Sequence, residues 1–298
     1  MADFEQRSLV RVFRNGAHMA GMIAVLGRRA PFLAAKPKYN WAVTNQLGSR
    51  YIARESTRDA MSAAATVVRS AAIEWANKAQ DLDAHGWALL PQLITRDQCR
   101  QMSALYARDS GFRSRVDMSR HGFGRGEYRY FAYPLPDLVQ SLRTSLYPSL
   151  APIANAWHER MGLDVRFPPT LVEFIARCHD AGQGKPTPLL LQYSAGDYNC
   201  LHQDLYGEHV FPLQIAVLLS KPAEDFEGGE FVLTEQRPRM QSRVEVVPLT
   251  QGDGVVFAVN SRPVRGTRGD YRVHLRHGVS TMRKGRRHTL GIIFHDAK

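Results

Sequence analysis

From Leu189 onward, the chain alternates short apolar runs with turn residues. The runs are Leu189–Tyr193, Leu213–Leu219, Glu230–Thr234, Val244–Leu249, Val255–Val259 and Thr289–Phe294. Gly228-Gly229, Gly252-Asp-Gly254 and Gly266/Gly269 punctuate them. Short runs with turn signals at this spacing predict strands of an all-β sandwich or barrel rather than βαβ units. The earlier part reads differently. Ser62 to Asp81 is Ala-rich and carries Val67, Val68, Ile73 and Trp75, which predicts a helix. His85–Pro91 predicts a short strand. Thr95-Arg-Asp-Gln98 is a capping-box signature for a helix through about Ala107, and a further helical region runs from Pro136 to about Met161. Packing helices followed by a run of strands give an α+β fold with a jelly-roll core.

Residues 1–60 show no sustained period. They hold ten Lys/Arg against four Asp/Glu, more than half of the chain's net charge of +11. This predicts a basic, disordered or loosely packed extension. Residues 61–298 then form a single domain, with a helical, lid-forming part at 61–165 and the jelly-roll core at 166–298. A strongly basic chain invites a nucleic-acid partner, but the charge outside the extension is mild. No apolar run approaches the 18 residues of a membrane span; the longest, Ala20 to Gly27, is closed by Arg28-Arg29. Asp3 and Glu5 stand where a secretory signal would be positive. Cys99, Cys178 and Cys200 form no CxxC motif, which suits a reducing, cytoplasmic setting; Cys200 reads as a packing residue.

Two stretches combine Arg, Gly and aromatic residues. The first is Arg113 to Tyr133, where Arg120, Phe123, Arg125, Tyr128 and Arg129 are candidates for substrate contact. Arginines interleaved with rings can hold phosphates and stack on unpaired bases, and the glycines permit a lid. A hairpin with solvated arginines explains the same residues equally well. The second is Asn260 to Arg272, which reads as a phosphate-contacting loop or a solvated one.

The chemistry gathers around His202-Gln-Asp204. On an extended strand, positions i and i+2 share a face, so an imidazole and a carboxylate can converge on one ion. A second histidine would complete the two-His, one-carboxylate triad that holds non-haem Fe(II). His277 and His274 are both candidates for it. Arg287 and Thr289 are again i and i+2, and the alternation Arg287, Thr289, Gly291 points one way, leaving Arg286 on the other face. A guanidinium fork beside a hydroxyl suits a carboxylate.

Tyr193, His202-Gln-Asp204, Gly229-Glu230, His277 and Arg287-x-Thr289 together resemble the Fe(II)/2-oxoglutarate-dependent dioxygenases, with the likeness sharpest over 189–294. That resemblance implies a double-stranded β-helix (jelly-roll) core that uses Fe(II), 2-oxoglutarate and O2. It implies His202, Asp204 and His277 as metal ligands, with Arg287 and Thr289 on the far carboxylate of 2-oxoglutarate and Tyr193 offering its phenol to it. The step from His277 to Arg287 favours His277 over His274. Gln192-Tyr-Ser-Ala-Gly196 and Leu201-His-Gln-Asp204 are similar to the AlkB-type nucleic-acid demethylases. Leu191, where that group carries Asn, and Ile293, where it carries a second Arg, depart from its pattern. Phe226-Glu-Gly-Gly-Glu230 and the His277–Arg287 step look more like prolyl hydroxylases. The C-terminal half is also similar to bacterial oxygenases proposed to reverse methylation damage in nucleic acids. The expectation is hydroxylation of a substrate C–H bond, with a methylated nucleic-acid base as partner and oxidative demethylation in DNA repair as outcome. A protein side-chain or small-molecule hydroxylase is the alternative. A jelly roll that binds metal without turnover is a third reading, but it leaves Arg287 and Thr289 without a task.

Overall fold

The computed structural model describes residues 72–298. The expected extension at 1–60 and the start of the helix at Ser62 lie outside them. That helix appears as α1, Trp75–His85, reaching four residues beyond Asp81 and ending at Gly86 in the left-handed region. Two further helices form as the pattern predicts. In α2, Arg96–Leu105, Thr95 accepts from the Gln98 N–H and Gln98 caps in return. The second is α3, Asp137–Arg160.

Among the described residues, fourteen strands form two antiparallel sheets. In the larger one, β1 (Trp87–Leu90), β11 (Gly254–Ala258), β7 (Leu213–Leu218), β14 (Met282–Ile292), β5 (Leu189–Ser194), β4 (Glu127–Phe131) and β2 (Phe112–Asp117) lie side by side, with β8 (Phe226–Gly228) on β14. The smaller runs β10 (Arg243–Val247), β9 (Phe231–Gln236), β13 (Gly269–Val279), β6 (Tyr198–His202), β3 (Gly124–Arg125), with β12 (Ser261–Gly266) on β13. This is the expected α+β, jelly-roll fold. Strands from both sides of the expected division at residue 165 share these sheets, because β1 pairs with β11 and β4 with β5.

The large sheet has two distinct faces. Leu190, Ile215, Val217, Leu290 and Ile292 join Leu142, Leu146, Leu150 and Trp157 of α3 in the main core. Each such fully buried side chain contributes about 2 kcal/mol from apolar burial. The alternate positions, Leu189, Leu191, Tyr193, Gln214, Ala216, Arg287, Thr289 and Gly291, line a cavity of about 200 Å³. One face therefore makes the core and the other makes the site.

Several elements differ from the expectation. Of the two readings of residues 113–133, the hairpin is the one observed, as β2–β4 with the short β3 inside it. The Arg/Gly-rich stretch 260–272 is the β12–β13 hairpin, not a loop. Its Arg262 is buried against Glu235, 2.5 Å away, so it has no phosphate to hold. A helix α4, Leu171–Asp180, with its own capping box from Thr170 and Glu173, stands where the jelly-roll core was expected to have begun. Strand β14 starts seven residues before Thr289.

Candidate metal centre

His202 is the last residue of β6, and His277 faces it across the ladder on β13. Their rings lie 4.2 Å apart, centre to centre. The strand pairing itself thus brings the two imidazoles together. Asp204 lies just beyond β6 rather than on it, so the irregular segment after the strand, and not the pleat shared with His202, delivers the carboxylate. Its Oδ2 is 3.3 Å from His277 Nε2 and its Oδ1 is 3.5 Å from His202 Nε2. One ligand atom from each of the three residues falls within 4.8 Å of the others. His274 is exposed on the opposite face of β13, which removes it as a rival.

Hydrogen bonds around the cluster set its chemistry. His202 Nδ1 is 2.8 Å from the Cys200 carbonyl. A proton donated there leaves Nε2 free to bind metal. Cys200 itself is exposed rather than packed. The Tyr206 hydroxyl donates to Asp204 Oδ1 at 2.7 Å. Burial alone would raise the Asp204 pKa, but His277, His202 and Tyr206 outweigh it and hold the carboxyl well below the usual range. Burial, then the His277 charge, lowers the His202 pKa. Both shifts favour the forms that bind a cation: an ionised carboxylate and a neutral imidazole.

Arg287 is at the other end of the same cavity. It is 1% exposed, and its Nη1 donates to Thr289 Oγ1 at 2.6 Å. Among the described residues it has no carboxylate partner, and its Nε makes no hydrogen bond. Burial pulls its pKa down to about 10, so it still carries its charge at neutral pH. Its neighbour Arg286 is exposed, as the alternation predicts. Gly229 holds the backbone close to this side chain: its φ is +62°, and a Cβ there would collide with Met282 Sδ and stand 3.2 Å from Arg287 Cδ. The buried Tyr193 hydroxyl makes no well-formed hydrogen bond, although Asn199 stands beside it.

The substrate candidates separate. Phe123 and Tyr128 line the cavity. Arg129 does not: on the opposite face of β4, it pairs with Glu127 at 3.2 Å and lies over the Tyr106 ring at 4.8 Å. Arg120 and Arg125 are exposed and line no part of the cavity, and Arg120 pairs with Asp117 at 3.5 Å. Sequence reasoning passed over Tyr130, Tyr206, Gln203 and Gln214, which also line it. Period-two alternation with Tyr128 could have found Tyr130; only tertiary contacts reveal the others.

A metal and an oxo-dicarboxylate fit this cavity. Four buried polar atoms lining it are unpaired: Tyr193 Oη, Gln214 Oε1, His277 Nδ1 and Arg287 Nε. Two imidazoles and a carboxylate are the donor set that suits Fe(II) and leaves coordination positions open. The cavity holds the equivalent of roughly six waters of liquid volume. Fold and site together define an oxygenase of the iron and 2-oxoglutarate-dependent class.

Residues 126–297, more than half of the chain, match the Oxygenase-NA family, described as an oxygenase catalysing oxidative methylation of damaged DNA. The chain belongs to this family. Two strains of Mycobacterium tuberculosis each carry an uncharacterized protein that is 50% identical over 167 residues, 56% of this chain and 72% of theirs. Among solved structures, a 2OG-Fe(II) oxygenase family oxidoreductase from Burkholderia pseudomallei is 15% identical with a TM-score of 0.46, covering 76% of this chain and 94% of that one. A prolyl-4-hydroxylase from Pseudomonas putida is 14% identical with a TM-score of 0.43, covering 75% and 99%. Among the described residues, no helix is long and apolar enough to cross a membrane.

Proposed function

We propose that this oxygenase hydroxylates the N-methyl group of a damaged nucleic-acid base, so that the methyl leaves as formaldehyde. His202 Nε2, His277 Nε2 and one oxygen of Asp204 would hold Fe(II). Arg287, with Thr289, would hold the far carboxylate of 2-oxoglutarate, and the Tyr193 hydroxyl would donate to the same molecule. Iron bound there would supply, with 2-oxoglutarate and O2, the oxidising power for hydroxylation of the methyl carbon, with succinate and carbon dioxide as co-products.

The protein's own residues do the rest. Ala216, Phe231, Phe257 and Val279 give the cavity an apolar wall that keeps bulk water from the reacting carbon. Gln203 Nε2 bonds to Asn260 Oδ1 at 2.8 Å and to the Leu275 carbonyl at 2.7 Å, fixing the residue between the two β6-side ligands. Phe123 is 48% exposed at the cavity, placed for a base to stack on it. Once the carbon bears a hydroxyl, the N–CH2OH group collapses to N–H and formaldehyde without further help from the protein.

The observation that carries the co-substrate is Arg287, a buried cation with no anion of its own. The family description supports the substrate, and the three thiols suit a cytoplasmic setting. The test measures succinate release with methylated and unmethylated oligonucleotides. Methylated strands should stimulate it, and Phe123→Ala should weaken that stimulation while Arg129→Ala leaves it unchanged. Stimulation by a peptide or a small metabolite instead would overturn the substrate class.

A further inference from the structure

Asp204 lies outside the strand that carries His202, so no ladder hydrogen bond fixes the direction of its carboxylate. A metal ligand beyond the end of its strand needs another restraint, or its two oxygens exchange by rotation about the last side-chain bond. The structure supplies one in Tyr206, two residues on. Its hydroxyl reaches back to Asp204 Oδ1 at 2.7 Å, while Oδ2 is the oxygen nearer His277 Nε2, at 3.3 Å. The Tyr206 ring is wedged into the wall of the cavity, with the cluster of Tyr130, Leu189 and Ile293 packed against it and the buried His295 ring 6.3 Å away. The phenol is therefore held in place by packing and not by the carboxylate it restrains. Tyr128 and Tyr130 continue the same wall, their rings edge to face at 5.3 Å, and all three tyrosines line the cavity.

We infer that Tyr206 is a positioning residue for the metal carboxylate: its hydroxyl occupies Oδ1 of Asp204 and turns Oδ2 toward the metal. This rests on the assignment of His202, Asp204 and His277 as ligands. Tyr206 holds one conformer of a ligand whose backbone does not, so the entropy of ordering that carboxylate is lost on folding rather than on metal binding.

The test is Mn(II) affinity of the full chain, prepared free of metal and measured by equilibrium dialysis, with no turnover involved. Tyr206→Phe keeps the ring and removes only the hydroxyl. It should weaken Mn(II) binding by about tenfold or more, the range seen when a group that orients a ligand is lost. The thermal midpoint of the metal-free protein should stay close to wild type. Tyr128→Phe removes a hydroxyl of the same wall that bonds to Tyr130 rather than to Tyr206 or Asp204, and should bind Mn(II) within about twofold of wild type. With Co(II) in place of Mn(II), the visible absorption of Tyr206→Phe should shift, because the carboxylate is free to change its mode of coordination. A purely packing role for Tyr206 moves neither readout. If Tyr206→Phe fails to fold, Tyr206→Gln and Tyr206→Leu replace it, one retaining a donor and one not. Tighter Mn(II) binding by Tyr206→Gln than by Tyr206→Leu supports the inference, and equal binding overturns it. Wild-type affinity and an unshifted Co(II) spectrum in Tyr206→Phe also overturn it. Equal Mn(II) binding by wild type and Asp204→Ala overturns the ligand assignment itself.

Discussion

Arg143 and Arg287 are each 1% exposed, yet their surroundings could hardly differ more. Arg143 on α3 makes four hydrogen bonds from its five donors. Its Nε donates to the Ile293 carbonyl at 2.9 Å, Nη1 to the Tyr133 hydroxyl at 3.0 Å, and Nη2 to both the Phe294 carbonyl and Asp296. Asp296 in turn takes Tyr133 and His179, each at 2.9 Å. This cluster pins the end of the chain to α3. Arg287 hydrogen-bonds to Thr289 alone among the described side chains, its guanidinium lies 5.7 Å and 5.9 Å from the Tyr193 and Phe226 rings, and Glu230 acts on it without forming an ion pair. Burying a charge without a partner is costly, and a protein carries that cost where a ligand later relieves it. Burial alone does not separate a structural arginine from a functional one; satisfaction of its donors does.

The largest consequence concerns the ligands. His202→Ala and Asp204→Ala should each abolish 2-oxoglutarate turnover while circular dichroism and the melting of metal-free protein stay near wild type. Wild-type-like turnover in either variant would remove the triad. The two arginines should then part company. Arg143→Ala leaves the buried Asp296 without its guanidinium partner, with only Tyr133 and His179 on it, and should lower stability by about 3–5 kcal/mol in denaturant titrations. Arg287→Leu leaves no such orphan, so the metal-free protein should be as stable as wild type or more so. A large loss of stability in Arg287→Leu would break the comparison.

A smaller effect comes from His295, beside the Arg143 cluster. Burial, then the Arg143 charge, depresses its pKa to about 4. Above pH of about 6.5, the imidazole is neutral in folded and unfolded chains alike. As pH falls below that value the unfolded chain takes up the proton first, so stability drops through the window down to about pH 4. His295→Asn keeps an acceptor for the Phe211 N–H, which bonds Nδ1 at 3.2 Å, and should flatten that slope. An unchanged slope would place the acid sensitivity elsewhere.

Much of this was legible in the chain. His202 and Asp204 stand out as a pair two residues apart, His277 is singled out from His274 by the resemblance, and Arg287 by an alternation that the structure reproduces as Arg287, Thr289 and Gly291 on the cavity face. Strand β13 was hidden because its outward positions are Arg272, His274 and Arg276. Its inward Val273, Leu275 and His277 keep a period of two beneath that charge. Helix α4 carries the capping signature that revealed α2, with Leu171, Phe174 and Cys178 buried at helical spacing. Tyr206 and Gln203 could not be read at all, since their roles are contacts made only after the sheets close. Arg120 and Arg125 lie exposed and outside the cavity lining, and Arg129 belongs to the outer face of β4.

The most direct measurement titrates Mn(II)-loaded protein, under anaerobic conditions, with 2-oxoglutarate and with 2-oxopentanoate. The second molecule keeps the chelating end and replaces the far carboxylate with a methyl group. Wild type should prefer 2-oxoglutarate by roughly 30-fold or more, about 2 kcal/mol for a buried, charge-paired contact. Arg287→Leu should lose that preference. Equal affinity of the wild-type protein for the two would contradict Arg287 as the cation waiting for its anion.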